Sequence, residues 1–538
     1  MQNQTSNLCL IYPPLSANEF PHLALPTLKS YLTSQGFDKV VVKDFNAPIM
    51  DRIIRSNLVK VEKYFADRGI NFSLSEIEDK YRSSRQILLG NESGKDNRAF
   101  KIINTYLNIA GSNIYDYCFC PVSLQTIKDG YDAVDVETDT NIIISFIRDS
   151  LIPYFEQNPA KVVGISIPFS SQIFYALIIG RELKKRFPST KIILGGPQVS
   201  MFYKLISAYK PFREAFDYMF YAQGEVGLAK FLKFVLENEG QIESVPNLIY
   251  LDGAEELKIN PEKNIEDIND IDEPDFSDLD LDLYIYGKIP YQLSRGCYWG
   301  RCEFCSYRDT KGYKVRDLDL ILKHVKILKE KYNRRILHFI DDSIPPKILQ
   351  KLAQRFLDEQ LNIKYEAYLR LDKNFTPDLC HLLKKSGLRS ALFGFESASQ
   401  RVLNIMKKGY TVPQIKQVLK NMKEAGIENV ISCLIGFPTE TQEEAWESIE
   451  FLKENRDLYF QAVIVHFGMI SDMRYKKDEF GIEAIDFNNL IRYDDTGFCA
   501  IGYPYKINQG MSVEDALSLI KKGREYLGIS IYQDSFFT

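Results

Sequence analysis

Short apolar runs alternate with helical periodicity along much of the 538-residue chain. In the first half, the strand-like runs lie at 8–12, 40–42, 162–166, 191–194 and 218–221. Helical spacing between several of them, as over 23–34 and 174–187, predicts β-α-β units and therefore a parallel sheet. We expect a doubly wound, Rossmann-like α/β domain over residues 1–240.

Residues from about 50 to 150 interrupt this alternation. They are mostly helical in pattern and rich in Lys, Asp, Asn and Tyr, which predicts a helical insertion between sheet strands. Cys118 and Cys120 fall inside this insertion. A C-x-C pair without a second pair is a weak metal signal, so we interpret both as ordinary cysteines.

The alternation returns after residue 286 with more regular spacing. Strand-like runs lie at 289–293, 335–340, 365–369, 390–395, 429–435 and 461–466. Repeated β-α units of this length predict a full or partial parallel barrel, here a (β/α)6-type barrel over 286–466. Residues 467–538 contain one helical pattern, at 513–527, and we expect a small C-terminal α/β unit on the substrate side of the barrel.

An acidic stretch separates the two α/β regions. Nine Asp and Glu residues fall between 265 and 283, and Pro274 interrupts them. Charge runs usually lie in solvent, and Asp and Pro disfavour regular structure. The sequence therefore predicts an acidic, solvated linker over 241–285.

Charge and hydropathy narrow the class of protein. A net charge of −5 without a basic patch argues against nucleic-acid binding. The polar N-terminus does not resemble a secretory signal, and no apolar run approaches membrane-spanning length. We expect a soluble, cytoplasmic protein.

Three cysteines within nine residues are the strongest chemical signal. Cys297, Cys302 and Cys305 have the spacing C-x4-C-x2-C, and glycines at 296 and 300 let the backbone curl around one point. Soft thiolates select zinc, copper(I) or iron–sulfur clusters. Three thiolates on a cubane leave one iron open for chemistry. The alternative is a zinc site completed by Cys118, Cys120 or His466.

Polar and glycine residues recur where the predicted strands end. Parallel strands bring their carboxyl ends to one edge, where ligands of α/β proteins bind. In the second half these residues are Asp341, Asp342, Arg370, Glu396, Gly436 and His466. In the first half they are Ser166, Gly195, Gly196, Gly224 and Glu225. The alternative interpretation is that these glycines bind no ligand and only form tight strand-to-helix turns.

The cysteine motif and its strand context resemble the radical S-adenosylmethionine (SAM) superfamily. The resemblance implies that Cys297, Cys302 and Cys305 hold a [4Fe–4S] cluster whose open iron chelates SAM, and that electron transfer yields a 5′-deoxyadenosyl radical. It also implies SAM contacts from Phe304, Arg370, Glu396, Ser399, Gly436 and Pro438, while Asp341 and Asp342 could contact SAM or substrate. The commonest superfamily spacing is C-x3-C-x2-C, so this chain has one extra residue in the first gap.

The first domain resembles the cobalamin-binding domain that precedes many radical SAM domains. The resemblance implies cobalamin contacts from Leu15, Ser166, Gly195, Gly196, Gly224 and Glu225. The corrinoid motif Asp-x-His-x-x-Gly is absent, which implies base-off cobalamin without a protein His ligand. His22 has no Asp two residues before it, and we interpret it as an ordinary loop residue.

Together the two resemblances imply a cobalamin-dependent radical SAM enzyme. The expected activity is C-methylation of an unactivated carbon, through a 5′-deoxyadenosyl radical and methylcobalamin. The alternatives are a cyclisation, rearrangement or redox reaction without methyl transfer, a radical SAM enzyme that has lost cobalamin, and a non-enzymatic iron–sulfur or corrinoid sensor. The expected partners are a small-molecule or peptide substrate and an electron donor of the flavodoxin or ferredoxin type.

Two further residues are candidates near the end of the barrel. His466 ends a strand, so it is a candidate proton donor or substrate ligand, with a structural histidine as the alternative. Cys499 is either a ligand or, by default, a buried free cysteine.

Overall fold

The computed structural model of the chain divides into two compact units. It describes residues 6–90, 142–305, 312–470, 480–493 and 501–529, except 17, 254 and 335, together with residues 99, 102, 103 and 106. The first unit extends to Gly287 and the second begins at Lys288. Cys118, Cys120 and Cys499 lie outside the described residues.

The first unit is built on a seven-stranded sheet in the order β2-β1-β3-β4-β5-β6-β7. The first five strands in this order are parallel, and β6 and β7 are antiparallel. The strands are β1 (Ser6–Tyr12), β2 (Val40–Asp44), β3 (Ala160–Ser166), β4 (Lys191–Gly195), β5 (Tyr218–Phe220), β6 (Leu248–Leu251) and β7 (Leu257–Ile259). The order 2-1-3-4-5 is that of doubly wound sheets, which bind ligands where the order reverses, here beside β1 and β3.

Helices join the strands of this sheet. They are α1 (Ala24–Ser34), α2 (Asn46–Ser56), α3 (Leu58–Ala66), α4 (Leu74–Gly90), α5 (Ile142–Phe146), α6 (Ile152–Gln157), α7 (Ile173–Arg186), α8 (Pro197–Ala208), α9 (Lys210–Ala215) and α10 (Glu225–Leu232). Nine residues of α7 are buried, including the whole stretch from Ile173 to Gly180. Its last turn carries three basic residues, which complement the negative end of the helix dipole.

The acidic segment differs from the expected solvated linker. Residues 248–251 and 257–259 form β6 and β7, so this part of the expected linker belongs to the sheet. Further along, Ile271 and Phe276 are fully buried in the first unit. Lys29 pairs with Asp275 at 3.0 Å and with Asp278 at 2.7 Å. Buried apolar residues alternate with more exposed acidic residues along this segment. We call it a strap, because burial of its apolar side chains stabilises its packing against the first unit.

The second unit is built on six parallel strands in sequence order, β8-β11-β12-β13-β14-β15. The strands are β8 (Lys288–Tyr291), β11 (Ile336–Phe339), β12 (Lys364–Leu369), β13 (Leu388–Glu396), β14 (Glu428–Ile435) and β15 (Gln461–His466), and the small pair β9 (Ser294–Arg295) and β10 (Lys314–Val315) follows β8. A parallel sheet of six strands in this order is a partial barrel, as the sequence predicted.

The helices between these strands have clear sequence signals. They are α11 (Leu318–Tyr332), α12 (Pro346–Asp358), α13 (Pro377–Ser386), α14 (Gln400–Ile405), α15 (Val412–Glu424) and α16 (Gln442–Glu454). Side-chain caps from Thr376, Ser399, Thr411 and Thr441 start four of them. Gly387 ends α13 with φ +113° in the left-handed region.

The last described residues of the second unit form two small strand pairs and one helix. The elements are β16 (Ile482–Ile485), β17 (Ile491–Arg492), β18 (Ile501–Gly502), β19 (Tyr505–Ile507) and α17 (Val513–Leu527). The predicted fold class is thus confirmed: a doubly wound sheet, a partial (β/α)6-type barrel and a small terminal α/β part. In the described part of the chain, no helix combines the length and apolarity needed to cross a membrane.

Candidate active site

The three cysteines lie on one loop at the carboxyl edge of the barrel sheet. The loop begins directly after β9, and all three thiols are partly exposed. Gly296 and Gly300 have φ of +79° and +57°, so both use the left-handed conformation that glycine adopts without strain. The loop therefore presents three soft donors, a set that fits an iron–sulfur cluster with one open position.

Asp341 holds the base of this loop. Its carboxylate accepts hydrogen bonds from the Leu293 amide at 3.1 Å, the Ser294 amide at 2.5 Å and the Ser294 hydroxyl at 2.6 Å. Burial raises the pKa of Asp341 to about 7, against these bonds. Burial also raises the pKa of Asp342 to about 6, while a hydrogen bond from the Gly296 backbone opposes it. These aspartates anchor the cysteine loop, so the contacts of Asp341 are with the protein and not with an open site.

A buried ion pair lies beside the loop. Lys408 Nζ is 3.0 Å from Glu396 Oε1, and both side chains are about nine-tenths buried. Burial by itself lowers the pKa of Lys408, but Glu396 and other neighbours hold it above its usual value. Glu396 follows a register shift between β13 and β14 and has φ +66°. Bulges and strained non-glycine residues cluster at functional sites.

Positive charge reaches the cysteine loop from two side chains. Burial raises the pKa of the Cys302 thiol, while the nearby Lys408 and Arg370 lower it. The thiolate is the form that binds metal, and neighbouring cations favour it. The tertiary structure thus brings Arg370 and Glu396 close to Cys302 of the cysteine motif.

Arg370 lies close to two aromatic rings. Its guanidinium carbon lies 3.8 Å from the Trp299 ring centroid and 5.0 Å from that of Tyr410. One terminal nitrogen, Nη2, donates to the carbonyl of Lys408. The other, Nη1, is buried and has no hydrogen-bond partner among the described residues. An unpaired buried donor favours a bound anionic or acceptor group at this position.

The loop after β14 completes the site. The Phe304 ring contacts the Phe437 ring with centroids 6.3 Å apart, which links the cysteine loop to the segment containing Gly436 and Pro438. Pro438 is buried there. Glu440 Oε2 accepts the Gly436 amide at 2.7 Å, so this buried carboxyl fixes the turn.

Two predicted residues have their side chains engaged within the protein. The Ser399 hydroxyl caps α14 by accepting from Val402, and it donates to Glu444 at 2.9 Å. His466 stacks on Tyr493 with ring centroids 5.3 Å apart and an interplanar angle of 4°. Burial lowers the pKa of His466 to about 4, so the ring is neutral at pH 7. Within the described residues, neither of its ring nitrogens has a hydrogen-bond partner.

The predicted cobalamin residues share the carboxyl edge of the first sheet. Leu15 follows β1, Ser166 ends β3 next to Gly195 of β4, and Gly224 precedes α10. The loops after β1 and β3 are joined, since Ser171 Oγ donates to the Leu15 carbonyl at 2.7 Å.

The glycines at this edge differ in what they permit. A Cβ at Gly196 would lie 2.8 Å from the Ile167 amide nitrogen, and its φ is +105°, so this glycine makes a tight turn. A Cβ at Gly195 would meet nothing closer than 3.9 Å. Glu225, after Gly224, is buried at the first position of α10. His22 stacks on Tyr12 at 5.1 Å, and burial lowers its pKa to about 4.

Trp299, Lys408, Tyr410 and Glu440 are the residues of the site that sequence analysis did not identify. The sequence Lys407-Lys408-Gly409 predicts an exposed lysine at 408, because no local pattern indicates that Lys408 pairs with Glu396, twelve residues earlier. Trp299 had a signal, since it lies in the lengthened gap of the cysteine motif.

The segment that contains the cysteine loop is similar to known proteins. Residues 291–452 match the family described as the Radical SAM superfamily. An uncharacterised methyltransferase of Pyrococcus horikoshii is 27% identical over 329 residues, which cover 59% of this chain and 70% of that protein. An anaerobic magnesium-protoporphyrin IX monomethyl ester cyclase of Cereibacter sphaeroides is 25% identical over 276 residues, which cover 48% of this chain and 44% of that protein.

Two solved structures share the fold across most of the chain. The cobalamin-dependent SAM radical enzyme OxsB, with aqua-cobalamin bound, superimposes with a TM-score of 0.57 at 17% identity over 89% of this chain and 55% of its own. The radical SAM methyltransferase TsrM of Kitasatospora setae, with cobalamin and a [4Fe–4S] cluster bound, superimposes with a TM-score of 0.54 at 15% identity. This superposition covers 87% of this chain and 73% of TsrM. The chain thus spans about half the length of OxsB.

Proposed function

We propose, from the match of residues 291–452 to the Radical SAM superfamily, that the chain is a cobalamin-dependent radical SAM methyltransferase acting on an unactivated carbon. A radical SAM domain implies an enzyme that uses a [4Fe–4S] cluster, SAM and an external reductant. The observation that supports the proposal most directly is the cysteine loop itself, with three thiols beside two buried cations at the carboxyl edge of a parallel sheet.

The protein's part in the chemistry is binding and orientation. When bound, the cluster, SAM and cobalamin supply the radical and the methyl group. Cys297, Cys302 and Cys305 would hold the cluster, and Lys408 and Arg370 favour the thiolate state there. Phe304, Glu396, Gly436 and Pro438 would position SAM, together with Arg370. Ser399 would act on that site by capping α14.

Cobalamin would lie on the carboxyl edge of the first sheet. Leu15, Ser166, Gly195 and Gly224 share that edge, and a Cβ at Gly195 would meet no atom closer than 3.9 Å. Ligands of doubly wound sheets bind at this edge, where the strand order reverses. The sequence has no Asp-x-His-x-x-Gly, which supports base-off binding without a protein histidine.

Methyl transfer is supported by the names of relatives, and a second outcome is supported by another relative. Both the Pyrococcus protein and TsrM are named methyltransferases, whereas the Cereibacter relative is named a cyclase. A cyclisation or redox reaction without methyl transfer is therefore the second candidate. The substrate would be a small molecule or peptide, and the electron donor a flavodoxin or ferredoxin.

Anaerobic reconstitution tests the radical SAM assignment. Wild-type protein supplied with iron, sulfide, dithionite and SAM should release 5′-deoxyadenosine, and S-adenosylhomocysteine should accumulate with it if methyl groups are transferred. A variant with Ala at Cys297, Cys302 and Cys305 should release neither product. Absence of 5′-deoxyadenosine from a cluster-loaded wild type would contradict the proposal. 5′-Deoxyadenosine without S-adenosylhomocysteine, when substrate is consumed, would favour the cyclase-type reaction.

Cobalamin binding has its own test in the first unit. We expect Gly195→Phe to fold normally, because its backbone conformation is ordinary and no atom crowds its Cβ, yet to lose cobalamin absorbance after reconstitution. Gly253→Phe is the matched control, since a Cβ at Gly253 meets no atom within 4 Å and Gly253 lies between β6 and β7. Full cobalamin binding by Gly195→Phe would contradict the assignment to this edge.

A further inference from the structure

The lengthened gap of the cysteine motif places a tryptophan on a neighbouring turn. Trp299 lies between Cys297 and Cys302, and its indole Nε1 donates to the carbonyl of Lys407 at 2.8 Å. The same ring covers the guanidinium of Arg370 at 3.8 Å. One side chain of the cysteine loop therefore contacts both the 406–410 turn, which joins α14 to α15, and the cation beside the loop.

The 406–410 turn is shaped to receive the indole. A Cβ at Gly409 would lie 2.2 Å and 2.3 Å from two ring carbons of Trp299, so only glycine admits the ring in this position. The turn is attached to the cysteine loop a second time, because the Glu303 amide donates to the Met406 carbonyl at 3.1 Å. The buried Glu303 carboxylate also pairs with Lys407.

Arg370 is the charged group that this arrangement holds in place. Lys408 is neutralised by Glu396, but in the described part of the chain no carboxylate oxygen lies within 4.0 Å of the Arg370 guanidinium. Arg370 is 8% exposed, and its Nη1 has no partner among the described residues. A buried, unbalanced cation is costly unless an anion binds next to it. The adjacent loop is where the anionic cluster and the SAM carboxylate would be.

We propose that Trp299 is a positioning residue that holds Arg370 against the cysteine loop, so that its positive charge stabilises the anion assembled there. This inference rests on the proposed function. Two anions fit the same chemistry, the thiolate-ligated cluster and the carboxylate of SAM, and they are separated by different measurements. Trp299 lies within the C-x4-C gap, which has one residue more than the commonest superfamily spacing.

The test compares Trp299→Ala, Trp299→Phe and Arg370→Gln with wild type after anaerobic reconstitution. Iron and sulfide per chain report cluster assembly, an EPR-monitored redox titration reports the cluster's reduction, and equilibrium binding reports SAM affinity. Trp446→Phe is the matched control, because it alters the only other tryptophan of the chain, whose ring contacts Tyr526.

We expect normal iron content in all four variants, since the three thiols remain. In Trp299→Ala and Arg370→Gln, reduction of the cluster should become about tenfold less favourable, which corresponds to a potential lower by about 59 mV for one electron. SAM should also bind about tenfold more weakly. Trp299→Phe should lie between these values and wild type, because it keeps an aromatic face over Arg370 and loses only the indole donor.

The double variant Trp299→Ala with Arg370→Gln should show no larger decrease in cluster potential or SAM affinity than either single variant, because both changes act through the charge of Arg370. An effect on potential alone assigns the charge to the cluster, and an effect on affinity alone assigns it to SAM. Unchanged potential and affinity in cluster-loaded variants would overturn the inference and leave the proposed function standing. Loss of iron from Trp299→Phe would also overturn it, by showing that Trp299 serves only loop folding. A wild type that assembles no cluster would overturn both.

A second readout needs no cofactor. In a Trp446→Phe background, Trp299 is the sole tryptophan, so its fluorescence reports the docked ring. Gly409→Ala should expel the indole and increase acrylamide quenching severalfold. Unchanged quenching would show that the ring is not docked on the turn, and would overturn the inference independently of the cluster.

Discussion

Glu440 makes the stability of the second unit depend on pH. Its side chain is fully buried, Oε2 accepts the Gly436 amide at 2.7 Å, and Oε1 has no partner among the described residues. Burial raises the pKa of Glu440 from 4.5 to about 8, and the nearby Glu444 adds to the increase. The folded protein therefore keeps this carboxyl protonated at neutral pH.

The sign and size of the effect follow from proton binding. Between pH 4.5 and about 8 the folded state holds a proton that the unfolded state has released, so stability falls as pH rises through this window and levels off above it. Each pKa unit corresponds to 1.36 kcal/mol. Ionisation of Glu440 in the unfolded state thus removes about 1.4 kcal/mol per pH unit well below pH 8. Between pH 6 and pH 8 the loss is roughly 2 kcal/mol, because the slope decreases where the folded carboxyl itself begins to ionise.

Glu440→Gln tests this reasoning, because glutamine keeps an oxygen for the Gly436 amide and cannot ionise. Thermal midpoints of wild type should fall by roughly 5–10 °C relative to Glu440→Gln between pH 6 and pH 8. Glu447→Gln is the control, since Glu447 is exposed on α16, the helix that follows Glu440, and its curve should run parallel to wild type. Parallel curves for wild type and Glu440→Gln would refute the reasoning.

Three further changes probe the scaffold of the site. Asp341→Asn should lower the iron retained per chain after reconstitution. The Leu293 and Ser294 amides donate to different carboxylate oxygens, and in asparagine one of these oxygens is replaced by an NH2 group that cannot accept; wild-type iron content would contradict this. Lys408→Met should lower the free energy of unfolding in urea by about 3–5 kcal/mol, because it leaves Glu396 buried without its partner. The double variant Lys408→Met with Glu396→Leu should recover part of this loss, and an equal or larger loss in the double variant would contradict a buried ion pair. Gly387→Ala should lower the thermal unfolding midpoint more than Gly312→Ala. Both glycines have positive φ, but only a Cβ at Gly387 would meet a carbonyl oxygen, at 2.0 Å. Equal decreases in the midpoint would indicate backbone strain alone.

The sequence determined the local elements and the chemical class of the site. Strand and helix periods are set by neighbouring residues, so the runs at 429–435 and 461–466 became β14 and β15 with shifts of at most one residue. Parallel order then predicted that residues after successive strands share one edge, which is where Arg370, Glu396 and Gly436 lie. The three cysteines were readable because their spacing is itself local.

The tertiary structure alone decided which polar groups are buried and what they pair with. The sequence predicts an exposed Lys408, whereas the structure buries it against Glu396. The sequence suggests a ligand contact for Asp341, whereas its carboxylate binds Ser294 in the structure. The acidic segment reads as a linker and becomes a strap, because buried apolar residues such as Phe276 lie between its charges. Burial and ion pairing depend on contacts between residues distant in sequence, whereas periodicity and motif spacing do not.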